Sequence, residues 1–440
     1  MRDAAKVDPT TRRTAIVRAA RATAGRLSWG LVDQAVSSLT NFAVGILVAR
    51  SLGAAQFGAF SLAWVTYAVL LNLSRGLGTD PLMVRFSGPA DARWLAAARQ
   101  AVSTTLFVGL LSGAGCVLAG LALGGSVGSA FVGLGLVIPL LLVQDGWRYA
   151  FFAVGRGRSA FLNDLTWGLA LVPAIEAAAG RPSVGGFVIA WGIAGGLAAI
   201  VGSLQTRLLP VNLRGAVSWV SQQRDLGWRY VMENVAISSA SQLRMYGLGA
   251  IAGLAAVGAV RGGQLLLGPF LAVLMGVSLV AVPEAARVLR RSPRQLPLFC
   301  IALGGSQAVG ALLWGVALLV LLPERVGEEL LGPVWSLAAA LIVPTTLVVV
   351  HGSLSDGAFA GLRAMGAAPR SLTAQLLAAF AYVTGGLAGA ALGGATGSAW
   401  GVAIATLLGA GIAWWQLRAA LREREIQALN RSDFLEGKPA

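Results

Sequence analysis

The chain has 440 residues, of which 56% are hydrophobic and only 12% are charged, and its mean hydropathy is +0.73. These values lie far outside the range of soluble globular domains, so they exclude a soluble enzyme or binding module. The formal net charge of +15 would suit a nucleic-acid partner, but the basic residues lie between long apolar segments. The composition therefore indicates a polytopic membrane protein.

Apolar windows of about 20 residues, the length that a helix needs to cross a bilayer, recur twelve times along the chain. These windows are continuously apolar and do not alternate with polar residues, which favours helices over a β-barrel. We therefore predict an all-α fold with about 12 transmembrane helices. The predicted spans are 28–49, 57–79, 100–123, 128–148, 160–179, 184–206, 231–251, 256–281, 298–322, 333–356, 373–393 and 396–417.

The basic residues follow a topological pattern along these spans. One set of loops, together with both termini, holds 28 of the 34 Lys and Arg residues, whereas the other set holds only Arg50, Arg181 and Arg325. Cytoplasmic loops of membrane proteins are enriched in Lys and Arg. We therefore predict a multi-pass protein of the cytoplasmic (inner) membrane, with both termini in the cytoplasm and with basic loops that meet anionic membrane lipids.

A weak internal repeat relates the two halves of the chain at an offset of 200 to 211 residues. Gly58 corresponds to Gly258, "DG" at Asp145 corresponds to "DG" at Asp356, and "AWG" occurs in both halves in the same order. Two copies that both begin in the cytoplasm have the same orientation, so we predict two parallel six-helix bundles that rock about a central substrate path. The predicted regions are a basic cytoplasmic N-terminal segment (1–27), an N-terminal bundle (28–207), a cytoplasmic amphipathic linker (208–229), a C-terminal bundle (230–417) and a cytoplasmic tail (418–440).

Polar residues form a stripe on the first span of each predicted bundle. Asp33 and Asn41 lie on span 1, and Glu233, Ser241 and Arg244 lie on span 7. Within a bilayer, such a stripe should face a cavity or another helix and not the lipid. The candidate substrate-binding residues are Asp33, Asn41, Arg75, Glu233, Ser241, Arg244, Arg261 and Gln264.

Three arginines lie inside spans, where topology does not explain them. Arg75 is near the cytoplasmic end of span 2, from which its side chain could also reach the interface. Arg244 and Arg261 lie deeper, at similar depth on spans 7 and 8, which form a hairpin. Two neighbouring cations in a medium of low dielectric constant need an anion. The sequence leaves two candidates open: Glu176 near the outer end of span 5, or a ligand phosphate held by forked hydrogen bonds.

Motifs typical of enzymes are absent from the sequence. It has no Gly-rich phosphate loop with a lysine and no HExxH, and its single histidine, His351, excludes a His-based metal cluster. His351 lies near Asp356, which leaves proton coupling or hydrogen-bonded packing open. Cys116 and Cys300 are predicted to be packing residues. We predict a transporter without a cofactor or a metal, and not an enzyme.

Two segments resemble a known family. "LVDQAVSSLTNFAVGILVARSLGAAQFGAF" (31–60), above all its "ARSLGAAQFGAF", resembles the first two helices of the polysaccharide and O-antigen flippases of the multidrug/oligosaccharidyl-lipid/polysaccharide exporter superfamily. "QDGWRYAFFAVGRGRSAFLNDLTW" (144–167) resembles the loop between helices 4 and 5 of this family. The resemblance implies a cationic central cavity for an undecaprenyl-pyrophosphate-linked oligosaccharide, whose pyrophosphate Arg244 and Arg261 would meet. It also implies a polysaccharide polymerase as a candidate partner.

Several functions remain open at this stage. The first is a flippase that moves a lipid-linked oligosaccharide to the outer leaflet by alternating access, for surface polysaccharide biosynthesis. The second is a multidrug or cation antiporter of the same superfamily, with Asp33 or Glu233 as its ion site. A peptidoglycan-precursor flippase would need a charged first helix, which is reduced here to Asp33 and Arg50. A membrane glycosyltransferase or ligase would need long external loops, and the predicted loops are short.

Overall fold

The computed structural model describes residues 36–435 and, within them, all side chains except those of residues 233, 235–238, 278–280 and 427–435. Asp33 and the side chain of Glu233 therefore lie outside the described part. From 36 to 435, every regular element is a helix. The helices are α1 (Val36–Ser51), α2 (Ala54–Arg85), α3 (Ala92–Leu123), α4 (Gly125–Ala153), α5 (Gly157–Ala179), α6 (Val184–Thr206), α7 (Leu213–Gln222), α8 (Arg224–Ala252), α9 (Leu254–Arg291), α10 (Leu296–Val320), α11 (Glu324–Ala339), α12 (Ile342–Ala364), α13 (368–392) and α14 (395–435).

Twelve of the described helices, all except α7 and α11, correspond one to one to the predicted spans. Seven helical stretches in 36–435 are long and apolar enough to cross a membrane by themselves, and the bent pair α11 and α12 adds an eighth. The predicted all-α fold of about 12 helices is confirmed. We call the end of the helices at which Gly53, Gly253 and Gly394 connect successive spans the short-loop end, and the opposite end, which carries α7, the linker end.

The largest difference from the predicted boundaries is in the tenth span. The sequence predicts one helix over 333–356, but α11 and α12 meet there at 84°. The second helix begins only at Ile342 and continues to Ala364. Pro344 lies in its first turn, the helical position that tolerates proline best because no intrahelical N–H bond is lost there. Hydropathy alone places the window across this bend because both sides of it are apolar.

The internal repeat is visible in the backbone. α4 ends at Ala153 and α12 ends at Ala364, and each is followed two residues later by a glycine with φ of 70°, Gly155 and Gly366. The same pair of backbone hydrogen bonds closes both helix ends, as expected for a left-handed cap that favours glycine. These positions are equivalent in the predicted repeat, so the two halves share local geometry as well as helix order.

The linker helix α7 is fixed to the N-terminal bundle. Asn212 caps α7 by accepting a hydrogen bond from the Gly215 N–H at 2.9 Å. The buried Trp219 donates its indole N–H to the Gly78 carbonyl oxygen at 3.2 Å. Gly78 belongs to a π-helical turn of α2, Arg75–Thr79, and such turns disturb the regular i to i−4 bonds. The linker helix therefore satisfies a carbonyl group of α2 and packs on α3 beside it.

Candidate functional site

Three helices, α2, α8 and α9, form much of the contact between the two bundles. At the short-loop end, α2 and α9 cross at two glycines that are equivalent in the repeat. A Cβ on Gly58 would overlap the carbonyl oxygen of Leu254, and a Cβ on Gly258 would overlap that of Ala54. Only glycine allows two helix backbones to come this close. The bundles are therefore closed against each other at this end.

α8 follows α2 along most of its length. The Thr66 and Tyr246 hydroxyl groups are hydrogen-bonded at 2.6 Å. Nearer the linker end, the Asn234 amide donates to the Asp80 carboxylate at 2.8 Å. At the start of α8, Arg85 of α2 pairs with Asp225 at 2.5 Å. Most of α8 thus contacts the N-terminal bundle, although this helix belongs in sequence to the C-terminal bundle.

The two aspartates buried in the N-terminal bundle, Asp145 and Asp164, each pair with an arginine. Arg75 makes a two-pronged ion pair with Asp145, through Nε to Oδ2 at 2.9 Å and Nη2 to Oδ1 at 2.6 Å. The Arg75 guanidinium also lies 4.6 Å from the centroid of the Tyr149 ring. Arg148 pairs with Asp164 at 3.1 Å. Bidentate pairs of this kind are among the strongest hydrogen-bonded contacts of a guanidinium group, so the anion of Arg75 comes from within the protein.

Arg244 of α8 has a different environment. Only 2% of this residue is exposed, yet its Nε has no hydrogen-bond partner and no described carboxylate pairs with it. Its guanidinium lies 5.2 Å from the centroid of the Tyr382 ring, and its stem passes close to Gly386 of α13. A buried cation without a carboxylate is unfavourable by itself, because a ring face compensates only part of the lost hydration.

Arg261 of α9 faces the other bundle. Its guanidinium lies 5.6 Å from the centroid of the Trp64 ring of α2, and it donates a long hydrogen bond, 3.4 Å, to the Gln264 side-chain oxygen on the same helix. Like Arg244, it has no salt bridge to any carboxylate that the structure describes. The two arginines lie nine residues before and eight after Gly253, so both are about 12 to 14 Å from this turn.

The remaining predicted residues are less closely grouped. Asn41 is half-buried on α1, which packs on α9 where Gly45 meets Leu265, and Ser241 is exposed on α8. The structure thus places Asn41, Arg261 and Gln264 on two helices that touch, whereas Arg244 points to α13. Glu176, one of the two anions considered for the arginines, is exposed and belongs to none of the described ion pairs.

His351 is engaged in packing contacts between α12 and α14. Its Nδ1 lies 3.0 Å from the Ala403 carbonyl oxygen and 3.4 Å from the Thr406 hydroxyl oxygen. These contacts match the packing interpretation of this residue. No cluster of three or more His, Cys, Asp or Glu side chains that could hold a metal occurs between residues 36 and 435, as far as their side chains are described.

Sequence reasoning missed the aromatic partners of both arginines. Trp64 stacks on Trp191 at 4.9 Å between ring centroids, and Tyr67 meets the same indole edge-on at 4.8 Å. This cluster presents the Trp64 ring to Arg261. A tryptophan in an apolar span has no feature that distinguishes a cation–π partner from ordinary packing, so only the fold could identify it.

The fold is that of known membrane transporters. No family model matches the sequence, and no curated protein matches it either. Among solved structures, the chain is similar to the inward-facing conformation of a multidrug resistance MATE family transporter of the MOP superfamily, with a TM-score of 0.63, 16% identity, and coverage of 88% of this chain and 95% of that one. The outward-facing conformation of such a transporter gives a TM-score of 0.52 at 13% identity, over 91% and 96% of the chains.

A MOP superfamily transporter from Pyrococcus furiosus, described as having a binding pocket of reversed polarity, gives a TM-score of 0.55 at 14% identity, over 91% of this chain and 95% of that one. The chain therefore has the fold of MOP superfamily transporters. Two of these three neighbours are MATE family transporters, and all three are transporters and not enzymes.

Proposed function

We propose that the protein is a flippase that moves a polyprenyl-pyrophosphate-linked oligosaccharide from the inner to the outer leaflet of the cytoplasmic membrane. One observation carries this proposal. Arg75 and Arg148 in the N-terminal bundle each have an aspartate partner, whereas Arg244 and Arg261 in the C-terminal bundle have only aromatic rings and weak contacts among the described residues. The two bundles therefore differ in whether the arginines within their helices pair with a described carboxylate.

Two arginines without a carboxylate partner, of which Arg244 is only 2% exposed, favour an anionic substrate. A guanidinium group stays charged under all physiological conditions and cannot escape the cost of burial by losing its proton. A pyrophosphate offers several oxygen atoms that match the planar fork of arginine. A cationic drug would meet repulsion from the same two side chains. Moving each negative charge outward is also favoured by the membrane potential, by about 2.3 kcal/mol per 100 mV.

The orientation that we propose, with both termini in the cytoplasm, makes the short-loop end the outer end. The Gly58–Gly258 crossing then closes the path to the outside, and the substrate would enter from the inner leaflet. Similarity in fold to an inward-facing MATE transporter supports this assignment. Alternating access would require the α2 and α9 crossing to open while the lipid tail remains in the bilayer.

A multidrug or cation antiporter is the second candidate, because the neighbours in fold include multidrug resistance transporters. The fold supports both functions equally, and only the charge of the site favours the flippase. An antiporter of this kind would need a membrane-embedded acid whose charge changes during transport.

Reconstituted proteoliposomes can separate the two functions. We would measure the flipping of a short-chain polyprenyl-pyrophosphate oligosaccharide and, in parallel, the efflux of a cationic dye driven by a proton gradient. Loss of a charge-assisted hydrogen bond costs about 1.5 to 3 kcal/mol, so Arg244→Gln should slow flipping at least tenfold and Arg244→Lys should slow it less. Arg290→Gln, at an exposed position on α9, is the matched control.

Size-exclusion profiles identify any variant that fails to fold. Flipping by Arg244→Gln at the wild-type rate would refute the role of this residue. If the wild-type protein exports the dye and does not flip the lipid-linked oligosaccharide, the protein is an antiporter and not a flippase.

A further inference from the structure

A groove outside the bundle interface has no place in the transport path. It encloses about 450 Å³ between α3, α4 and α6 and the segment 207–211 that follows α6. None of its lining residues belongs to α2, α8 or α9, the helices that join the two bundles. Ile200 and Leu204 line the groove and are exposed, so it opens to the surroundings of the N-terminal bundle, at the linker end.

The lining of this groove is almost entirely apolar. Its side chains are mainly leucine, isoleucine, valine and alanine, and its one hydroxyl group, on Ser203, already accepts a hydrogen bond from the Trp147 indole at 3.0 Å. A peptide segment in such a groove would leave its backbone N–H and C=O groups without partners. An alkyl chain has no polar groups to satisfy, so it fits this lining.

Arg207 is the single charged residue that lines the groove. It caps the end of α6 with φ of 56°, the one positive φ of a non-glycine residue in the described chain. L-residues rarely adopt this conformation. Its side chain is exposed, and no described ion pair includes it. The groove thus ends at an available guanidinium group on the linker side.

A second cation lies near the same end. Leu106 of α3 lines the groove, and Arg99 precedes it by seven residues, almost two full helical turns. Side chains with this spacing leave a helix on the same side, here about 10 Å apart along the axis. Arg99 is exposed and lies toward the linker end. Arg207 at the end of α6 and Arg99 on α3 therefore place two positive charges at the linker end of the groove.

We propose that this groove binds an anionic phospholipid, with one acyl chain along α4 and α6 and the headgroup phosphate at Arg207. Apolar lining and terminal charge match the two parts of such a lipid, and the groove opens where the membrane would lie. The site differs from the proposed substrate path because it uses none of the residues of the bundle interface. Anionic lipid is thus a ligand of the N-terminal bundle and not the transported substrate.

Native mass spectrometry of the full chain tests this proposal, with phosphatidylglycerol and phosphatidylcholine of identical acyl chains as the probes. The wild-type protein should retain phosphatidylglycerol at least fivefold more than phosphatidylcholine. Arg207→Asn should remove this preference, since asparagine tolerates the left-handed backbone but carries no charge, and Arg207→Lys should keep it. Ile200→Trp should reduce the binding of both lipids by filling the groove.

Ile193→Trp is the matched control for the groove, because Ile193 is exposed on the same helix and does not line it. Arg290→Gln is the control for charge. An unchanged preference for phosphatidylglycerol in Arg207→Asn would overturn the proposal, and so would equal losses in Arg207→Asn and Arg290→Gln. Displacement of phosphatidylglycerol by a polyprenyl phosphate at equal concentration would assign the groove to a different lipid and also overturn it.

Discussion

Replacing Gly58 by alanine should open the short-loop end of the molecule. The added Cβ would overlap the Leu254 carbonyl oxygen, which belongs to a helix backbone and cannot rotate away. This contact would have to lengthen from 1.8 Å to at least 3.0 Å, so the two helices would have to separate locally, and overpacking of this kind typically costs about 1 to 3 kcal/mol. The closed conformation bears this cost and the open one does not, so the closed-to-open ratio should fall about 5- to 150-fold.

Distances between spin labels report this shift directly. Leu123 of the N-terminal bundle and Leu392 of the C-terminal bundle are both exposed near the short-loop end, so cysteines there can carry labels. The native Cys116 and Cys300 are free and buried and would be replaced by alanine first. The wild-type protein should give one short distance, and Gly58→Ala should add or shift to a longer one.

Gly53→Ala is the matched control. Gly53 lies just before the same helix, has φ of −69° and has no atom within 4 Å of an added Cβ. This variant should keep the wild-type distance, whereas Gly258→Ala should behave like Gly58→Ala because its Cβ would overlap the Ala54 carbonyl oxygen. If Gly58→Ala keeps the wild-type distance distribution, the reasoning from this crossing is wrong.

Three further results are expected. Arg75→Gln should lower stability by about 3 to 5 kcal/mol, because it leaves the buried Asp145 carboxylate unpaired. Asp145→Asn should lower it less, because the Arg75 side chain is 22% exposed, and the double variant should recover part of the loss in thermal melts. Trp219→Phe should lower stability by about 1 to 3 kcal/mol, because it leaves the Gly78 carbonyl oxygen of the π-helical turn without its hydrogen-bond donor. A different apolar side chain at position 219 should not restore this stability, because it has no N–H to donate. Partial desolvation raises the pKa of Asp225, but the hydrogen bond and charge of Arg85 together lower it more; the stability from this pair should therefore be present above the ordinary carboxylate range and decline below about pH 4, a decline that Asp225→Asn should remove.

Hydropathy predicted the number and type of the helices because the bilayer sets a minimum apolar length for each crossing. Boundaries were less certain for two physical reasons. α9 runs to Arg291, ten residues beyond the predicted span 256–281, because a helix can continue past the membrane without a change in backbone. The bend before Ile342 lies within an apolar stretch, where only tertiary packing and one proline mark it.

The charged residues were predictable in position and not in pairing. The depth of Arg244 in an apolar window indicated its burial. Asp145, the partner of Arg75, lies 70 residues away on another helix, and no spacing rule connects such residues. The repeat does not preserve this pair: Asp145 is buried and paired, whereas its counterpart Asp356 is exposed. The assignment of the arginines to a substrate stays a prediction.

The crossing of α2 and α9 also describes a symmetry. Gly58 contacts the backbone near residue 254, and Gly258 contacts the backbone near residue 54. The contact surface of α2 therefore packs on the surface of α9 that is equivalent to it in the repeat. Such an isologous contact is the form that two identical subunits make around a twofold axis. A six-helix half-chain could present this same surface to a second copy. In a fused chain, each half can change separately, and here Arg75 and Arg148 of one half pair with aspartates, whereas Arg244 and Arg261 of the other pair with no described carboxylate.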